Sequence, residues 1–429
     1  MIDVICLSAN KLPQSLDPDV YYFSMYEATQ RYPKVGYVAS RLRAQVAAAG
    51  LRPSANMWDF VTFALAVSAA DNAVVRSNSA NGWTREIRLT LAVHDTSLWD
   101  GLRGELISAL HFLTGDYWEL KFVQDDDPVP RAPRQKHFTE DCVELLSGGV
   151  DSLVGAIDLV AAGRKPLFVS HVVRGSQDAQ NYFANQIATL NTHFSWSQAI
   201  YPPENAGDGE GSTRARSIVF FAFAALAASG LESFMGAARE IVVAENGFIS
   251  LNVSLDPGRV SSFSTKTTHP IYMQALQSIL DRLGLDLKLV MPYRFKTKGE
   301  MLLECQNQSI LKRLIDASIS CGKFSVYNLH HCGRCVPCMV RRASYMKAGM
   351  VDHTSYVFAN LKGAWRQNAH PNDVGAMALR CVMATRRGFD AKILGNFTFA
   401  SNLERAEFIG VYKRGLDEVS SLLRAHQVI

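Results

Sequence analysis

The stretch VELLSGGVDSLVGAID, residues Val143–Asp158, determines how the fold of this chain is interpreted. The apolar run Cys142–Leu146 is typical of a buried strand. The glycines in Ser147–Gly149 interrupt regular structure, as expected of a tight turn. After Asp151, apolar residues recur at helical spacing. The stretch therefore predicts a strand, a glycine-rich turn and a helix in succession.

The predicted turn has the chemical features of an anion-binding site. Gly148 and Gly149 lack a Cβ atom, so the backbone can present several N–H groups to one point. Ser147 and Ser152 add hydroxyl groups, and the positive end of the helix dipole faces the same point. A helix terminus alone contributes only about 0.3–1 kcal/mol, so the converging donors are essential. Asp151 would repel a bare phosphate, and we therefore expect a bridging Mg²⁺ ion.

The turn differs from the P-loop of kinases and GTPases, whose pattern is GxxxxGK[ST]. An ordinary strand-to-helix turn is the simpler alternative, and a pair of glycines alone would favour it. The serine, aspartate and serine that stand at fixed spacing after an apolar strand favour nucleotide binding instead.

The composition is that of a globular protein large enough for two or three domains. The 429 residues include 44 basic and 40 acidic residues, so the formal net charge is only +4. This surplus does not indicate binding to nucleic acid or to a membrane surface. The N-terminal sequence does not resemble a signal peptide, and the apolar run Ile218–Ala228 is too short to cross a bilayer. We expect a cytoplasmic protein, in which the eight cysteines are thiols or metal ligands.

We expect three regions along the chain. The clearest linker is Asp125–Pro133, which contains three acidic residues and three prolines. Residues 1–135 are predicted to form an accessory α+β domain, residues 136–360 a nucleotide-binding domain, and residues 361–429 a C-terminal helical extension. The elements predicted in the first and last regions are helices at Trp58–Ala70, Leu102–Leu113, Asn372–Arg386 and Leu403–Ala425, and strands at Glu86–Val93 and Tyr117–Val123.

Strands and helices alternate through the middle region. The elements predicted there after the glycine-rich turn are Leu167–Val173, Asp178–Leu190, Ser197–Tyr201, Ser212–Ala228 and Ile241–Ala244. This order predicts an α/β fold, a parallel sheet with helices on both faces. Ligands of such sheets bind at the carboxyl ends of the strands. We therefore expect the SGGVDS turn, His171–Gly175 and Glu245–Phe248 to surround one crevice.

Basic residues are expected to flank this crevice in two places. Arg214 and Arg216 open a helix that is otherwise apolar, where positive charges oppose the helix dipole. An anionic ligand would explain them, and solvated charges are the alternative, more so for Arg214 than for Arg216. Lys296 and Lys298 are two residues apart before another helix, and in an extended loop their side chains need not point in the same direction. One could therefore contact phosphate while the other is solvated.

Four of the eight cysteines lie close together in the sequence: Cys321, Cys332, Cys335 and Cys338. The last three form overlapping CxxC units, which are common in zinc sites because a tight turn brings the thiolates to within about 2.3 Å of one metal ion. Four thiolates would form a closed structural site. His330 or His331 is the alternative fourth ligand if Cys321 lies too far away, and redox chemistry is the alternative function of the CxxC units.

The hexapeptide SGGVDS, Ser147–Ser152, resembles the pyrophosphate-binding loop of the PP-loop ATP pyrophosphatases, which cleave ATP to AMP and pyrophosphate. Ser320-Cys321 and the stretch CGRCVPCMVRR further along the chain resemble the zinc motif of the 7-cyano-7-deazaguanine synthase (QueC) family. This resemblance extends from Cys142 to Tyr356. The longer layout, with ENGFISLN and STKTTHP, is similar to QueC-like proteins of anti-phage defence systems.

The resemblance implies a PP-loop fold with an ATP site and a zinc site. The residues implied to hold the pyrophosphate of ATP and its Mg²⁺ ion are Ser147, Gly148, Gly149, Asp151 and Ser152. The residues implied to act on the transferring phosphorus are Arg216 and Lys298, with Asp151 as a further catalytic residue. The residues implied to contact the rest of the nucleotide are His171, Glu245 and Asn246. The implied zinc ligands are the four clustered cysteines.

The resemblance also implies a reaction. QueC enzymes adenylate the carboxylate of 7-carboxy-7-deazaguanine, convert it to an amide with ammonia, and adenylate again to reach the nitrile. The added N-terminal region suits a macromolecular acceptor, so we expect the activated deazaguanine to be transferred to a partner protein from a defence operon. Neither a membrane nor nucleic acid is expected as a direct partner.

Three other outcomes are compatible with the motifs. The first is synthesis of the free nitrile from ammonia, and the second is tRNA thiolation, which the small net charge supports poorly. The third is a nucleotide-binding subunit of a defence complex without catalytic activity, and the intact SGGVDS argues against it.

Overall fold

The computed structural model describes residues 1–28, 34–173, 175–187, 192–211, 213–232, 236–253, 266–362, 372–387 and 399–429. Arg174, Leu190, Ser212 and the first two residues of STKTTHP, which the sequence predictions include, lie outside these ranges. The strands are β1 (Ile2–Leu7), β2 (Tyr21–Met25), β3 (Gly36–Val38), β4 (Glu86–Val93), β5 (Tyr117–Gln124), β6 (Cys142–Leu145), β7 (Pro166–His171), β8 (His193–Trp196), β9 (Ile200–Tyr201), β10 (Arg239–Val242) and β11 (Leu287–Val290). The helices are α1 (Leu42–Ala48), α2 (Ala55–Ala73), α3 (Thr96–Thr114), α4 (Val150–Ala161), α5 (Gln177–Ile187), α6 (Ser217–Ala228), α7 (Gly247–Ser250), α8 (Pro270–Arg282), α9 (Lys298–Glu304), α10 (Gln308–Leu314), α11 (Val336–Ala348), α12 (Asn372–Arg387) and α13 (Asn402–Ala425).

The first of two sheets has the strand order β5-β4-β1-β2-β3-β9, and its pairs are parallel except β3 with β9. The predicted strand Glu86–Val93 is confirmed as β4. The α+β arrangement predicted for residues 1–135 is wrong, because α3 connects β4 to β5 as a crossover and the two strands therefore run in the same direction. Alternating polar and apolar residues identify a strand with one exposed face but not its direction.

The second sheet has the order β11-β10-β6-β7-β8, and all of its strands are parallel. In β6 at its centre, Val143 packs in the core that contains α6, whereas Glu144 faces Gly155 of α4. Helices therefore cover opposite faces, and the predicted parallel sheet with helices on both faces is confirmed. The predicted strand Ser197–Tyr201 is only partly right, because its last two residues form β9 and pair with the first sheet.

One hydrophobic core joins the two sheets. The predicted buried helix Trp58–Ala70 is confirmed within α2, which packs against β4 on one side and α6 on the other. The segment Asp125–Pro133 has no regular secondary structure after β5, and the N–H group of the buried Ala132 donates a hydrogen bond to the carbonyl of Leu51 at 3.1 Å. The segment predicted as a linker is thus packed against the first sheet's helices.

A separate cluster of buried residues surrounds the C-terminal helices. The two helices predicted in the last region are confirmed as α12 and α13. Both pack with α11, and α13 also contacts α7 and α9. The end of the chain therefore lies against elements that follow β10 and β11 of the second sheet.

Candidate functional site

The SGGVDS turn connects β6 to α4, so the predicted strand, turn and helix are confirmed. Gly148 has a φ of +84°, which is a conformation that L-residues with side chains rarely adopt. The Ser147 and Ser152 hydroxyls lie 3.0 Å apart, and the Gly149 N–H donates to the Ser147 hydroxyl oxygen at 3.2 Å. These contacts fold the turn around the N-terminus of α4, where backbone N–H groups have no partner within the helix.

Two other segments hold the turn in place. The Ile319 N–H donates to the carbonyl of Gly148 at 2.8 Å, and the Gln180 side-chain amide of α5 donates to the carbonyl of Ser147 at 3.2 Å. A Cβ atom at Gly149 would lie 3.4 Å from the carbonyl oxygen of Ile319. The turn is therefore fixed by long-range contacts as well as by its own sequence.

Asp151 is buried at the start of α4 and has two strong partners. The Lys298 ammonium lies 2.7 Å from one carboxylate oxygen, and the Asn246 side-chain amide donates to the other at 2.7 Å. Burial alone would raise the pKa of Asp151, but the charge of Lys298 and the hydrogen bonds outweigh it, so the pKa lies below its ordinary value. Asp151 is therefore the ionised member of this group.

Glu245 lies beside Asp151 and has the opposite electrostatic balance. Burial and the negative charge of Asp151 both raise the pKa of Glu245 well above its ordinary value. The protonated Glu245 can then donate a hydrogen bond to Asp151. A cation could replace the proton that the two carboxyl groups share, because it would compensate the same negative charge.

A cavity of about 370 Å³ opens in front of the turn. The sequence-predicted residues that line it are Ser147, Gly149, Asp151, Ser152, Arg216, Glu245 and Lys298. The carboxyl ends of β6 and β10 meet at this cavity, as the rule for parallel sheets predicts.

Three predicted site residues do not line the cavity. Gly148 forms the bend of the turn behind it, and Asn246 is fully buried, where it binds Asp151 and caps α7 by accepting a hydrogen bond from the Ile249 N–H at 3.0 Å. His171 is 1% exposed and has its ring centroid 4.7 Å from that of Phe220. Burial and the charge of Arg216 lower the pKa of His171 to about 3. These residues can support the site but do not face a ligand there.

The two basic pairs are separated by the fold. Arg214 points away from the cavity, donates to the carbonyl of Thr114 at 3.0 Å and stacks on Trp83. Arg216 faces the cavity, and no carboxylate among the described residues pairs with it. Lys296 is exposed and pairs with Glu304 at 2.6 Å, whereas Lys298 is 7% exposed and pairs with Asp151. One cation of each pair is therefore available to an anion in the cavity.

Several polar residues that line the cavity are not among the site residues predicted from the sequence. The hydroxyl residues among them are Thr213, Ser217, Thr267, Thr268 and Ser320. The Ser217 hydroxyl is buried and has no hydrogen-bond partner in the described part of the chain. Thr267 and Thr268 belong to STKTTHP, whose sequence carries no local pattern that would place it at the cavity. Thr213 and Ser217 flank Arg216, so a search around each candidate cation would have found them.

The four clustered cysteines converge in space, and all four are buried. Their sulfur atoms lie within 4.8 Å of one another, and two pairs, Cys321–Cys335 and Cys332–Cys338, are 3.9 Å apart. A tetrahedral zinc ion with Zn–S distances of about 2.3 Å requires sulfur atoms separated by about 3.8 Å. The geometry therefore fits a Cys₄ zinc centre.

The backbone around the cysteines is arranged for thiolates. N–H groups of Lys323 and Cys332 both donate to the sulfur of Cys321 at 3.3 Å, and the N–H group of Cys335 donates to that of Cys332 at 3.3 Å. His330 is exposed, and His331 accepts a hydrogen bond from the Ser320 N–H at 3.2 Å. Cys321 is thus close enough to be the fourth ligand, and neither histidine is needed.

The cysteine centre and the cavity share a wall. Ser320, which precedes Cys321, and Pro337, which precedes Cys338, both line the cavity. Ile319 in turn binds the glycine-rich turn. A metal ion at the cysteines would therefore fix one side of the cavity without reaching its interior.

Comparison with known proteins gives partial matches to one family. The chain is 31% identical over 110 residues to the 7-cyano-7-deazaguanine synthases of Brucella ovis and Brucella canis. This region is 26% of the chain and 39% of each synthase, so the chain spans about two fifths of the length of these relatives. No family model matches the chain, and no solved structure matches it. The similarity supports a QueC-like relationship for the matched part.

Within the described ranges, no helix combines the length and the apolar character needed to cross a bilayer.

Proposed function

We propose that this chain is an ATP-dependent enzyme that adenylates the carboxylate of 7-carboxy-7-deazaguanine and passes the activated group to an amine. The observation that carries the proposal is the SGGVDS turn, which opens onto a cavity beside the Asp151–Lys298 pair and Arg216, for which the described residues supply no carboxylate partner. The partial similarity to 7-cyano-7-deazaguanine synthases supports the substrate class.

In this proposal the turn binds the pyrophosphate part of ATP. The N–H groups at the start of α4 and the hydroxyls of Ser147 and Ser152 supply donors at one end of a helix dipole. Lys298 and Arg216 supply positive charge from two other segments. Donors from separate elements that face one point can orient the α-phosphorus for attack without rearranging during the reaction.

A Mg²⁺ ion fits the acidic part of the cavity. Mg²⁺ prefers oxygen ligands and is commonly held by one or two carboxylates together with phosphate oxygens. Asp151 is ionised, and Glu245 shares a proton with it that a divalent cation would displace. When bound, the ion would neutralise charge on the phosphates of ATP.

The proposed reaction has two steps. A carboxylate oxygen of the substrate attacks the α-phosphorus of ATP, the bond to the pyrophosphate breaks, and an acyl adenylate forms. An amine then attacks the carbonyl carbon, AMP leaves with the oxygen that joined it to the acyl group, and the amine loses a proton. Arg216 and Lys298 stabilise the negative charge that develops on the phosphoryl oxygens and on the leaving pyrophosphate.

The cysteine centre has a structural role in this proposal. Four thiolates would saturate a zinc ion, so no coordination position remains for a substrate. Zinc, when bound, would hold Ile319 and Ser320 against the turn and the cavity. The proposal includes the division of the chain into three regions at residues 135 and 360. The first region would then bind the acceptor.

The acceptor in this proposal is a partner protein. The layout of motifs in this chain resembles that of QatC, the QueC-like protein of the Qat anti-phage defence system, and a protein from the same operon would supply the amine. A second candidate function is synthesis of the free nitrile from ammonia, which the name of the similar Brucella proteins favours.

Mass spectrometry of one reaction tests these candidates. The purified chain is incubated with Mg-ATP and 7-carboxy-7-deazaguanine, either with ammonium or with partner proteins from its operon. AMP together with a mass increase on a protein supports protein modification, and AMP with free amide or nitrile supports the second candidate. Failure to form AMP in any mixture would contradict both.

Lys298 and its near neighbour Lys296 provide a matched pair of variants for this reaction. Lys298→Ala should reduce AMP formation on the order of 10²-fold, because it removes a charge beside the transferring phosphorus. Lys296→Ala should leave AMP formation unchanged, because Lys296 is exposed and pairs with Glu304. Equal effects of the two substitutions would refute the assigned role of Lys298.

A further inference from the structure

The C-terminal helix α13 contacts the chain segment that carries Lys298. The Arg414 guanidinium donates to the carboxylate of Glu300 at 2.5 Å and to the carbonyl of Phe295 at 2.7 Å. The ring of Phe408 packs 4.9 Å from that of Phe295. These contacts lie on both sides of Lys298 in the sequence, so α13 holds the whole segment.

Glu418 of α13 makes the most direct contact with this segment. Its carboxylate accepts a hydrogen bond from the Thr297 hydroxyl and another from the Gly299 N–H at 3.3 Å. Thr297 is the N-cap of α9, and its hydroxyl oxygen accepts a hydrogen bond from the Glu300 N–H at 3.1 Å. Glu418 therefore binds the residues immediately before and after Lys298 and completes the capping of that helix.

The space around Gly299 shows how closely the helices approach. A Cβ atom at this position would lie 2.6 Å from Cγ of Lys347 on α11 and 2.7 Å from a carboxylate oxygen of Glu418. A side chain at this position would force these groups apart. The start of α9 is thus enclosed between α11 and α13.

A lysine at the first position of a helix needs such support. Its positive charge opposes the helix dipole, and Lys298 is almost fully buried. The ion pair with Asp151 compensates for this charge only if the helix start stays within reach of Asp151. Glu418, although buried, makes no contact with the cavity. Among the described residues, its carboxylate accepts hydrogen bonds from the Thr297 hydroxyl and the Gly299 N–H, the cap and backbone groups that position Lys298.

The same helix supports the other partner of Asp151. Gly415 of α13 packs against Phe248 of α7, where a Cβ atom on the glycine would lie 2.3 Å from the ring. Asn246 is the N-cap of α7 and donates to Asp151. Both groups that bind Asp151 therefore belong to short helices that α13 covers.

We propose that Glu418 is a positioning residue, which holds the Lys298 ammonium at Asp151 by binding Thr297 and Gly299 from the C-terminal helix. The role of Lys298 in phosphoryl transfer belongs to the function proposed above, and this inference rests on it. The position of the lysine itself does not depend on that function. It can be measured in the full chain without any substrate.

The test measures the reactivity of Lys298 and the reaction kinetics in the same set of variants. Lys298 is acylated with an amine-reactive ester, and the rate is followed by peptide mass spectrometry. Glu418→Ala should increase that rate, because the helix start is released and the ammonium is exposed. In the Mg-ATP reaction it should lower kcat on the order of 10-fold to 10²-fold, with little change in the KM for ATP.

Three further variants make the result specific. Glu418→Gln should restore part of the protection, because its amide oxygen can accept from the Gly299 N–H while its NH2 group donates to the Thr297 hydroxyl oxygen. Gly299→Ala should reproduce the effect of Glu418→Ala by displacing the carboxylate, and it serves if Glu418→Ala does not fold. Glu407→Ala, an exposed glutamate on the same helix, should behave as the unaltered chain.

The outcomes separate this inference from the proposed function. If Glu418→Ala and Gly299→Ala fold and leave the acylation rate of Lys298 unchanged, the positioning role is wrong. If the unaltered chain forms no AMP but the variants still expose Lys298, the positioning role stands and the proposed reaction fails. A loss of kcat that Glu418→Gln shares in full would also contradict the role, since the neutral amide can still bind Thr297 and Gly299.

Discussion

The two sheets of this chain differ in whether the charged side chains near them are paired within the chain. In the first sheet's region, the buried residues Arg85 and Arg76 both pair with Asp71 and Asp116, so two positive charges match two negative ones. At the second sheet, Arg216 lies at a cavity wall, and no carboxylate among the described residues pairs with it. Buried charges that are paired within the chain hold the fold together, whereas a cation directed at a cavity indicates a ligand.

The carboxyl ends of the strands show the same contrast. Beyond β4 of the first sheet, the His94 ring bonds to Asp59 at 2.6 Å and to the carbonyl of Asp127 at 3.0 Å, which closes the strand end. Beyond β6 of the second sheet, the glycine-rich turn leaves N–H groups and hydroxyls directed at open space. A parallel sheet alone therefore does not make a site, because the residues after its strands decide whether the crevice is open.

The largest expected effect follows from Asp151, where the second sheet concentrates its charge. Asp151→Ala should reduce AMP formation by at least about 10²-fold, because it removes the partner of Lys298 and the ionised carboxylate. Asp208→Ala, at an exposed position, is the control and should have no effect. AMP formation by the Asp151 variant at the rate of the unaltered chain would refute the site.

The cysteine centre predicts a loss of both metal and stability. Cys335→Ser should abolish stoichiometric zinc binding, because it removes one of the four thiolates. The variant should also be less stable, since structural zinc in small domains contributes about 10–16 kcal/mol of apparent binding free energy. Cys381→Ser, at a buried cysteine outside the centre, should keep its zinc. Elemental analysis and thermal unfolding measure the two quantities, and a full zinc content in the Cys335 variant would contradict the Cys₄ assignment.

Arg85 and Arg216, one from the region of each sheet, allow a direct test of this difference. Arg85→Ala should lower the free energy of unfolding by about 3–5 kcal/mol, because Asp71 and Asp116 would remain buried with Arg76 as their one arginine partner. Arg216→Ala should leave the free energy of unfolding nearly unchanged and reduce AMP formation on the order of 10²-fold. Denaturant unfolding measures the stability of both variants, and the AMP assay measures their activity. A stable but inactive Arg85 variant together with an unstable but active Arg216 variant would contradict the assigned roles.

The smallest effect concerns Glu144, which is fully buried in β6 behind the turn and has no hydrogen-bond partner among the described residues. Burial and the charge of Asp158 raise the pKa of Glu144 well above its ordinary value of 4.5. The folded chain therefore binds more protons than the unfolded chain above pH 4.5, and this residue makes stability fall as the pH rises through the raised pKa.

Glu144→Gln should remove that pH dependence. Its free energy of unfolding relative to the unaltered chain should increase from pH 5 toward pH 8, by about 1.4 kcal/mol for each unit of pKa displacement that is removed. Chemical unfolding at a series of pH values measures this difference. A difference that stays constant with pH would show that Glu144 does not carry a proton in the folded chain.

The sequence identified the parts of the site that depend on short stretches. The SGGVDS turn needs a left-handed glycine at one position, and the cysteines need a fixed local spacing, so both patterns are visible without a structure. The family resemblance implied Arg216 and Lys298, whereas the residue pattern alone did not decide between Lys296 and Lys298. The fold brings one member of each pair to the cavity.

The parts that the sequence could not give depend on contacts between distant segments. His171 ends β7 at the expected edge, but its ring turns into the aromatic core of α6, which strand position alone does not determine. The direction of β5 depends on the crossover through α3. Glu418 binds residues more than a hundred positions earlier, and no local pattern reveals such a pairing.

The most direct test of the proposed function follows one oxygen atom. 7-Carboxy-7-deazaguanine labelled with heavy oxygen in its carboxylate is incubated with the chain, Mg-ATP and an amine acceptor, and AMP is analysed by mass spectrometry. Adenylation followed by transfer predicts that AMP carries one heavy oxygen atom from the carboxylate. Unlabelled AMP, or ADP and phosphate as the products, would contradict activation of the carboxylate at this site.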